Sequence, residues 1–370
     1  MVLGIRGMPN VQGGVETHAE QLYPRLVSLG CEVVAIVRSP FVPAEARSFG
    51  GVQLKRLWAP RRQGVEALLH SLLGVLYAGF VRPDILHVHA VGPMIVVPIA
   101  RLFGLTVVVT HHGPDYDRDK WRPFARGVLR LGERWGVRYS QARIAISRVI
   151  ADLIRAKYGM SSDLVPNGVV VAASVPGMEH LQSFSLQSGR YILQVSRIVP
   201  EKRQSDLIAA FLKARPPGWK LVLVGGIDES QYCRQVADSA RGCADIVLTG
   251  FQKGAPLEQL YANAGAFVLP STHEGLPIAL LEALAHGLSV GASDIPANLE
   301  VGLDEQSYFP VGNVDALAAL LTRLTGTALD DAARAARMRW VTDKYDWDRI
   351  AGQTLAVYRS ALRGGNPLGR

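Results

Sequence analysis

The sequence predicts an α/β protein made of two halves, each a parallel sheet with helices on both faces. Three observations predict it. Short apolar strands alternate with helix-forming segments along nearly the whole chain, and such alternation builds parallel sheets. The alternation runs twice, interrupted by one polar, irregular stretch at Val175–Arg190. The 370 residues, 48% hydrophobic and 19% charged, supply core for two domains of ordinary size. The expected division is 1–168 and 169–345, followed by a terminal helical segment, 346–370.

In the first half, Val2–Ile5 reads as a strand and Gly7–Gly14 as a turn-rich loop. Val15–Leu29 reads as a helix, with Leu22, Leu26 and Leu29 on one side and Gly30 as its stop. Cys31–Val37 and Val52–Trp58 are strands, and Gly64–Phe80 is a long apolar helix. Asp84–His89 and Leu105–Thr110 are buried strands. Lys120–Arg143 is a basic helix; Arg143–Ser147 and Asp163–Val165 close the sheet, and Pro166–Gly168 begins the connection. In the second half, Tyr191–Ser196, Lys220–Val224, Asp245–Leu248, Gly265–Leu269 and Leu288–Ala292 are strands, with a helix at Gln204–Ala214. A last helix starts at Asp346 and runs to about Leu362; the tail Gly364–Arg370 is expected to be disordered.

Composition narrows the function. The formal charge of +8 asks for an anionic partner: a nucleotide diphosphate, a lipid phosphate or a membrane surface. No basic motif is interleaved with aromatic residues, so nucleic acid is not expected. The three cysteines, Cys31, Cys233 and Cys243, show no metal or disulfide spacing, which suits a reducing compartment. No run has the length and purity of a membrane span. Met1–Arg6 reads as a strand rather than a secretory leader, so a cytoplasmic location is expected.

The chain is organised around Pro270–Gly287, PSTHEGLPIALLEALAHG. A buried strand delivers a tight loop, Ser271–Gly275; Pro277 suits a first helical position, strong helix formers follow from Ile278, and Gly287 ends the helix. A helix N-terminus favours an anion. Glu274 and Glu282 flank it, and carboxylates suit neighbouring hydroxyl groups rather than a bare phosphate. A diphosphate between two hydroxyl-rich rings, a nucleotide sugar, meets both requirements. Arg197 and Lys202 follow another strand end and supply fixed positive charge without a metal. Gly13 and Gly14 precede a helix, where backbone N–H groups can approach an anion, but the spacing fits neither a dinucleotide nor a P-loop motif. His112 follows Leu105–Thr110, at the strand end where open α/β sheets bind ligands. Asp115-Tyr116-Asp117 reads either as a metal-diphosphate motif or as a solvated loop with Arg118 and Lys120 interleaved. Arg122, Arg126, Arg130, Arg134 and Arg138 recur every four residues, one stripe on a helix. With the apolar Gly64–Phe80 stretch they suit an anionic membrane; the other reading is a solvated face with internal acid partners such as Glu133.

E-G-L-P-x-x-L-L-E-A-L-A-H-G, after a strand and opening a helix, resembles the E-x7-E signature of family 4 glycosyltransferases, which have the GT-B fold. G-G-V-E, T-x-H-G and V-S-R-I-V-P-E-K resemble the family's glycine loop, sugar-facing histidine and phosphate-holding arginine and lysine, in the family's order. Arg203 stands where a glycine often follows the lysine, which puts that loop's geometry in question. The resemblance implies two Rossmann-like domains facing a cleft, with the last helix crossing back to the first. It implies a retaining, metal-independent transfer without cofactor. Arg197, Lys202, Gly13, Gly14 and Gly275–Pro277 would hold the donor, Glu282 its ribose, Glu274 its sugar, and His112 the sugar or acceptor. The acceptor expected is a polyprenyl-diphosphate-linked saccharide at the inner face of the cell membrane, in surface-polysaccharide synthesis. A metal-dependent transferase using Asp115 and Asp117, a nucleotide-sugar epimerase and an inactive scaffold remain open alternatives.

Overall fold

The computed structural model describes residues 1–60, 65–117, 121–170, 177–327 and 330–364. The chain folds as two compact units: Met1–Asn167 with the chain from Trp347 onward, and Gly168–Asp346.

The first unit holds an eight-stranded sheet. Its order is Ser48–Phe49, Val52–Leu57, Val34–Arg38, Val2–Leu3, Leu86–His89, Val107–His111, Ala142–Ala145 and Asp163–Leu164. Only Ser48–Phe49 runs antiparallel. Central strands are buried on both faces because helices cover both; every residue of Leu86–His89 and Val107–His111 is buried, the histidines included. The first strand stops at Leu3, two residues short of the expected Ile5, because Gly4 turns to φ +104. A Cβ there would lie 2.2 Å from the His89 carbonyl oxygen, so only glycine lets the two chains approach this closely.

The last helix, Trp347–Arg363, buries Trp347, Ile350, Ala351, Thr354, Val357 and Ala361. This spacing forms one face, which shares a core with Ala19, Leu22 and Leu26 of the helix Gly14–Ser28. The expected tail beyond Gly364 lies outside the described residues, as do Arg118, Lys120 and the first residue of the expected Gly64–Phe80 helix. That helix is described as Val65–Val81.

The second unit is a six-stranded sheet, all parallel: Ile246–Gly250, Lys220–Val224, Tyr191–Val195, Ala266–Leu269, Ser289–Ser293 and Tyr308–Phe309. The order reverses between Tyr191–Val195 and Ala266–Leu269. At such a switch point the loops leaving the two strands diverge, and a ligand crevice opens at their carboxyl ends. The corresponding switch in the first unit lies between Val2–Leu3 and Leu86–His89. The helix Asp331–Lys344 has no clear sequence signal, because it buries only Val341.

Candidate functional site

Both motif loops of the second unit leave from its switch point. Strand Tyr191–Val195 leads through Arg197 into a 3-10 turn, Pro200–Lys202, and then the helix Gln204–Ala214. Gln194 donates to the Lys202 carbonyl at 3.0 Å, and Gln204 donates to the Arg197 carbonyl at 2.9 Å, so the loop is pinned from both sides. Strand Ala266–Leu269 leads into Ser271–Pro277 and the helix Ile278–Ala285. The Thr272 N–H donates to the Glu201 carbonyl at 2.9 Å and ties one loop to the other. This brings the Lys202 ammonium onto the Glu274 carboxylate in an ion pair with side chains only 16% and 11% exposed. Arg197 lies 3.8 Å from Glu201. Two residues 72 positions apart in the sequence thus share one small volume.

Two local expectations change. Pro277 caps the helix rather than opening it: at φ −78, ψ 90 it is not helical, and its carbonyl accepts from Leu280 and Leu281. Arg203 keeps the loop geometry a glycine would allow, standing in the left-handed region at φ +49, ψ 41, with its guanidinium 2.5 Å from Asp206. Gly275 is half-buried; Leu276 and Pro277 are buried.

Glu282, half-buried one turn into the helix, accepts from the Tyr261 hydroxyl at 2.9 Å. Burial, with Glu258 nearby, pushes its carboxyl up to about 7 against the pull of the Tyr261 hydrogen bond. The Tyr261 ring stacks on His286 at 5.4 Å, and His286 lies 3.2 Å from Glu258.

In the first unit, Gly13 at φ +153 caps the helix Gly14–Ser28. A Cβ on it would strike Glu16 Oε2 at 2.2 Å and Arg6 Nη2 at 2.4 Å. The Glu16 carboxylate sits in the helix's first turn, bonded to Arg6 at 2.9 Å, so a protein anion already faces this terminus. Gly14 is exposed. His112 Nε2 lies 2.9 Å from His89 Nδ1, and its ring meets that of His18 edge-on at 5.0 Å. Burial, then the neighbouring rings, hold His112 and His89 neutral, far below the usual histidine range; burial lowers His18 to about 4.

His111 points the other way, into the core, where its Nε2 meets Glu133 at 2.8 Å. Glu133 is therefore not a partner for the arginine stripe, as one reading had it. It is fully buried and also bonded to Tyr116, Lys157 and Tyr158. Asp115 and Asp117 sit in a 3-10 turn around buried Tyr116. Among the described residues they join no group of three metal-ligating side chains. Arg122 caps the helix Pro123–Tyr139 and lies outside it; Arg126 is half-buried, and Arg130 and Arg134 are exposed. Arg130 stands over the Tyr116 ring at 5.4 Å. With Arg134, Lys157, Tyr158, Asp117 and Leu153 it lines an open cavity of about 460 Å³.

Residues 12–172 match the model of Glycosyltransferase Family 4, and residues 179–339 that of Glycosyl transferases group 1. A GDP-mannose-dependent alpha-(1-6)-phosphatidylinositol monomannoside mannosyltransferase of Mycolicibacterium smegmatis is 30% identical over 298 residues, 72% of this chain and 73% of the relative. The chain belongs to the family 4 glycosyltransferases. It is an enzyme that takes a nucleotide-sugar donor and a saccharide acceptor. A GDP-mannose:cellobiosyl-diphosphopolyprenol alpha-mannosyltransferase of Xanthomonas oryzae is 33% identical over 165 residues, 42% of each chain. The fold is GT-B: the sucrose-phosphate synthase of Thermosynechococcus elongatus superposes with a TM-score of 0.82 over 97% of each chain, at 21% identity.

Three residues around the transferase motifs escaped sequence reasoning. Tyr261, in a short helix of unremarkable pattern, is visible only through its bond to Glu282. His18 and His89 looked like ordinary residues of a helix and a strand. Their only signal was position: one turn after Gly13-Gly14, and at the end of DILHVH.

Proposed function

We propose that this transferase moves a sugar, with retention at its anomeric carbon and without a metal, onto a hydroxyl of a polyprenyl-diphosphate-linked saccharide. The observation that carries the donor reading is the Lys202–Glu274 pair at the switch point of the second sheet. Lys202, Arg197 and the N-terminus of Ile278–Ala285 stabilise the charge growing on the departing diphosphate. Glu274 and the Gly275–Pro277 backbone hold the sugar hydroxyls, Glu282 the ribose hydroxyls, and His112 the sugar or acceptor. The bond from anomeric carbon to diphosphate breaks. The acceptor oxygen bonds the same face, and its proton passes to the leaving diphosphate.

The acceptor reading rests on the surface of the first unit and on the lipid-linked substrates named for two relatives. On the helix Val65–Val81, Leu68, Leu72, Leu76 and Phe80 recur every four residues and are 44%, 38%, 48% and 88% exposed. Leu102 and Phe124 are 86% and 85% exposed. No helix among the described residues is long and apolar enough to cross a membrane. A peripheral position on the anionic inner leaflet suits a unit that carries both exposed apolar side chains and exposed arginines.

The test is transfer to a synthetic polyprenyl-diphosphate saccharide from a panel of nucleotide sugars, with liposome sedimentation alongside. Transfer is expected with one donor, to survive chelator, and to retain configuration. Arg126, Arg130 and Arg134 changed together to glutamate should shed the protein from anionic vesicles. Equal transfer to the free saccharide and unchanged sedimentation of the variant would reject the lipid-linked reading.

Glu282 sets a pH dependence. Its carboxylate accepts two hydroxyls but its protonated form only part of that, so donor KM should rise as pH falls through about 7. Tyr261→Phe removes a bond that favours the charged form, so the same rise should occur at higher pH, with kcat little changed. Superimposable KM–pH curves for the two proteins would refute the role of Tyr261 in holding Glu282.

A further inference from the structure

We propose that His18, His89 and His112 form a binding site for one divalent first-row transition cation such as Zn²⁺. One ring nitrogen from each lies within 4.8 Å of the other two, the only such group among the described residues. They gather at the carboxyl ends of neighbouring strands by the switch point of the first sheet: His18 from the helix Gly14–Ser28, His89 from the end of Leu86–His89, and His112 just past the adjacent strand Val107–His111. His89 Nδ1 and His112 Nε2 are 2.9 Å apart. Two imidazole nitrogens on one tetrahedral zinc lie about 3.3 Å apart, given Zn–N bonds of about 2.0 Å, so the pair needs to open only slightly.

An independent observation points to a ligand. His18 is 2% exposed, and its Nε2 has no hydrogen-bond partner. Its Nδ1 lies 2.9 Å from Asn167 Oδ1, an acceptor, so Nδ1 carries the proton and Nε2 presents a lone pair. A buried polar atom left without a partner is costly, and metal-ligating histidines are held in this way by a carbonyl oxygen on the far nitrogen. His89 has the matching arrangement: its Nε2 bonds the Tyr23 hydroxyl, which leaves Nδ1 to the site. Three neutral imidazoles without a carboxylate select zinc, nickel or cobalt over magnesium and calcium. The half-buried His112 leaves one side open, as in three-histidine sites that keep a fourth position for water or substrate.

The cation would occupy a nitrogen of His112, which the proposed function assigns to the sugar or acceptor. Metal loading therefore opposes transfer, a consequence that rests on that reading. Binding itself is read without turnover. The full chain, stripped with chelator, is titrated with Zn²⁺ by calorimetry and with Co²⁺ by visible absorption. One equivalent should bind, with the intense absorption of tetrahedral cobalt, while Mg²⁺ gives none. Asn167→Ala should weaken binding about 10-fold or more, and His18→Gln should abolish the stoichiometric phase. Absence of a one-to-one phase in the wild type would overturn the site whether or not the variants fold. A His18→Gln protein that melts cooperatively and still binds one equivalent equally well would also overturn it. Stoichiometric zinc with undiminished transfer would overturn the antagonism and leave the binding result standing.

Discussion

Lys202→Met should lower kcat/KM for the nucleotide sugar by about 10²- to 10³-fold, the range for losing one fixed group that stabilises transition-state charge. The side chain is 16% exposed, and the residue is anchored at both ends: its backbone carbonyl by Gln194 and its ammonium by Glu274. That anchoring holds the charge still before reaction, and charge that need not reorganise is the source of the effect. A donor diphosphate must share the ammonium with Glu274 or take it over. Methionine keeps the length of the chain but leaves a largely buried carboxylate without its cation, so part of the loss could come from a disturbed loop. Comparison of the double variant Lys202→Met, Glu274→Gln with Glu274→Gln alone separates the two, because Glu274 also serves the sugar. If Lys202 acts on the phosphate, the double variant is as stable as Glu274→Gln but turns over far more slowly. Equal turnover in these two variants would remove Lys202 from the reaction, and the donor reading would lose its support.

Glu133→Ala should cost about 3–5 kcal/mol of stability, the usual range for removing one partner of a buried ion pair. The carboxylate is fully buried and accepts from four residues: His111 at 2.8 Å, Tyr116 at 2.9 Å, Lys157 at 2.8 Å and Tyr158 at 2.6 Å. Burial alone would raise its pKa; the hydrogen bonds from His111, Lys157 and Tyr158 outweigh it and bring it down to about 2. The depressed value fixes the sign. The folded protein holds fewer protons than the unfolded chain between about pH 4.5 and 2, so stability from this group is present above that window and lost as pH falls through it. Two and a half pKa steps correspond to roughly 3 kcal/mol, the same order as the truncation cost. Urea melts of wild type and variant at pH 7 and near pH 3 measure both. A gap between the two proteins that does not narrow on acidification would show that the ionised carboxylate is not what stabilises this cluster.

The donor motifs were legible because their loops carry local rules: a strand, a short turn, a helix start, and charges at set distances from each. What linear reading missed was who pairs with whom. Glu133, one residue before Arg134, looked like part of the surface charge pattern, yet a helix turns about 100° per residue and puts it in the core. Arg122 fell in the arginine repeat, but the helix begins after it, at Pro123. That His111 and His112 face opposite ways follows from the alternation of a strand; that the first meets Glu133 and the second two other histidines does not.

From the order of its residues alone this chain was bound to be two parallel α/β lobes, with cations and carboxylates at the strand ends of the second. Those features depend on near neighbours in the chain. Folding in three dimensions was needed to pair Lys202 with Glu274, to set Tyr261 on Glu282, and to gather His18, His89 and His112 around one point. Each of these joins segments delivered by different strands or helices, and the distance between them depends on sheet order and packing, which no stretch of sequence encodes by itself.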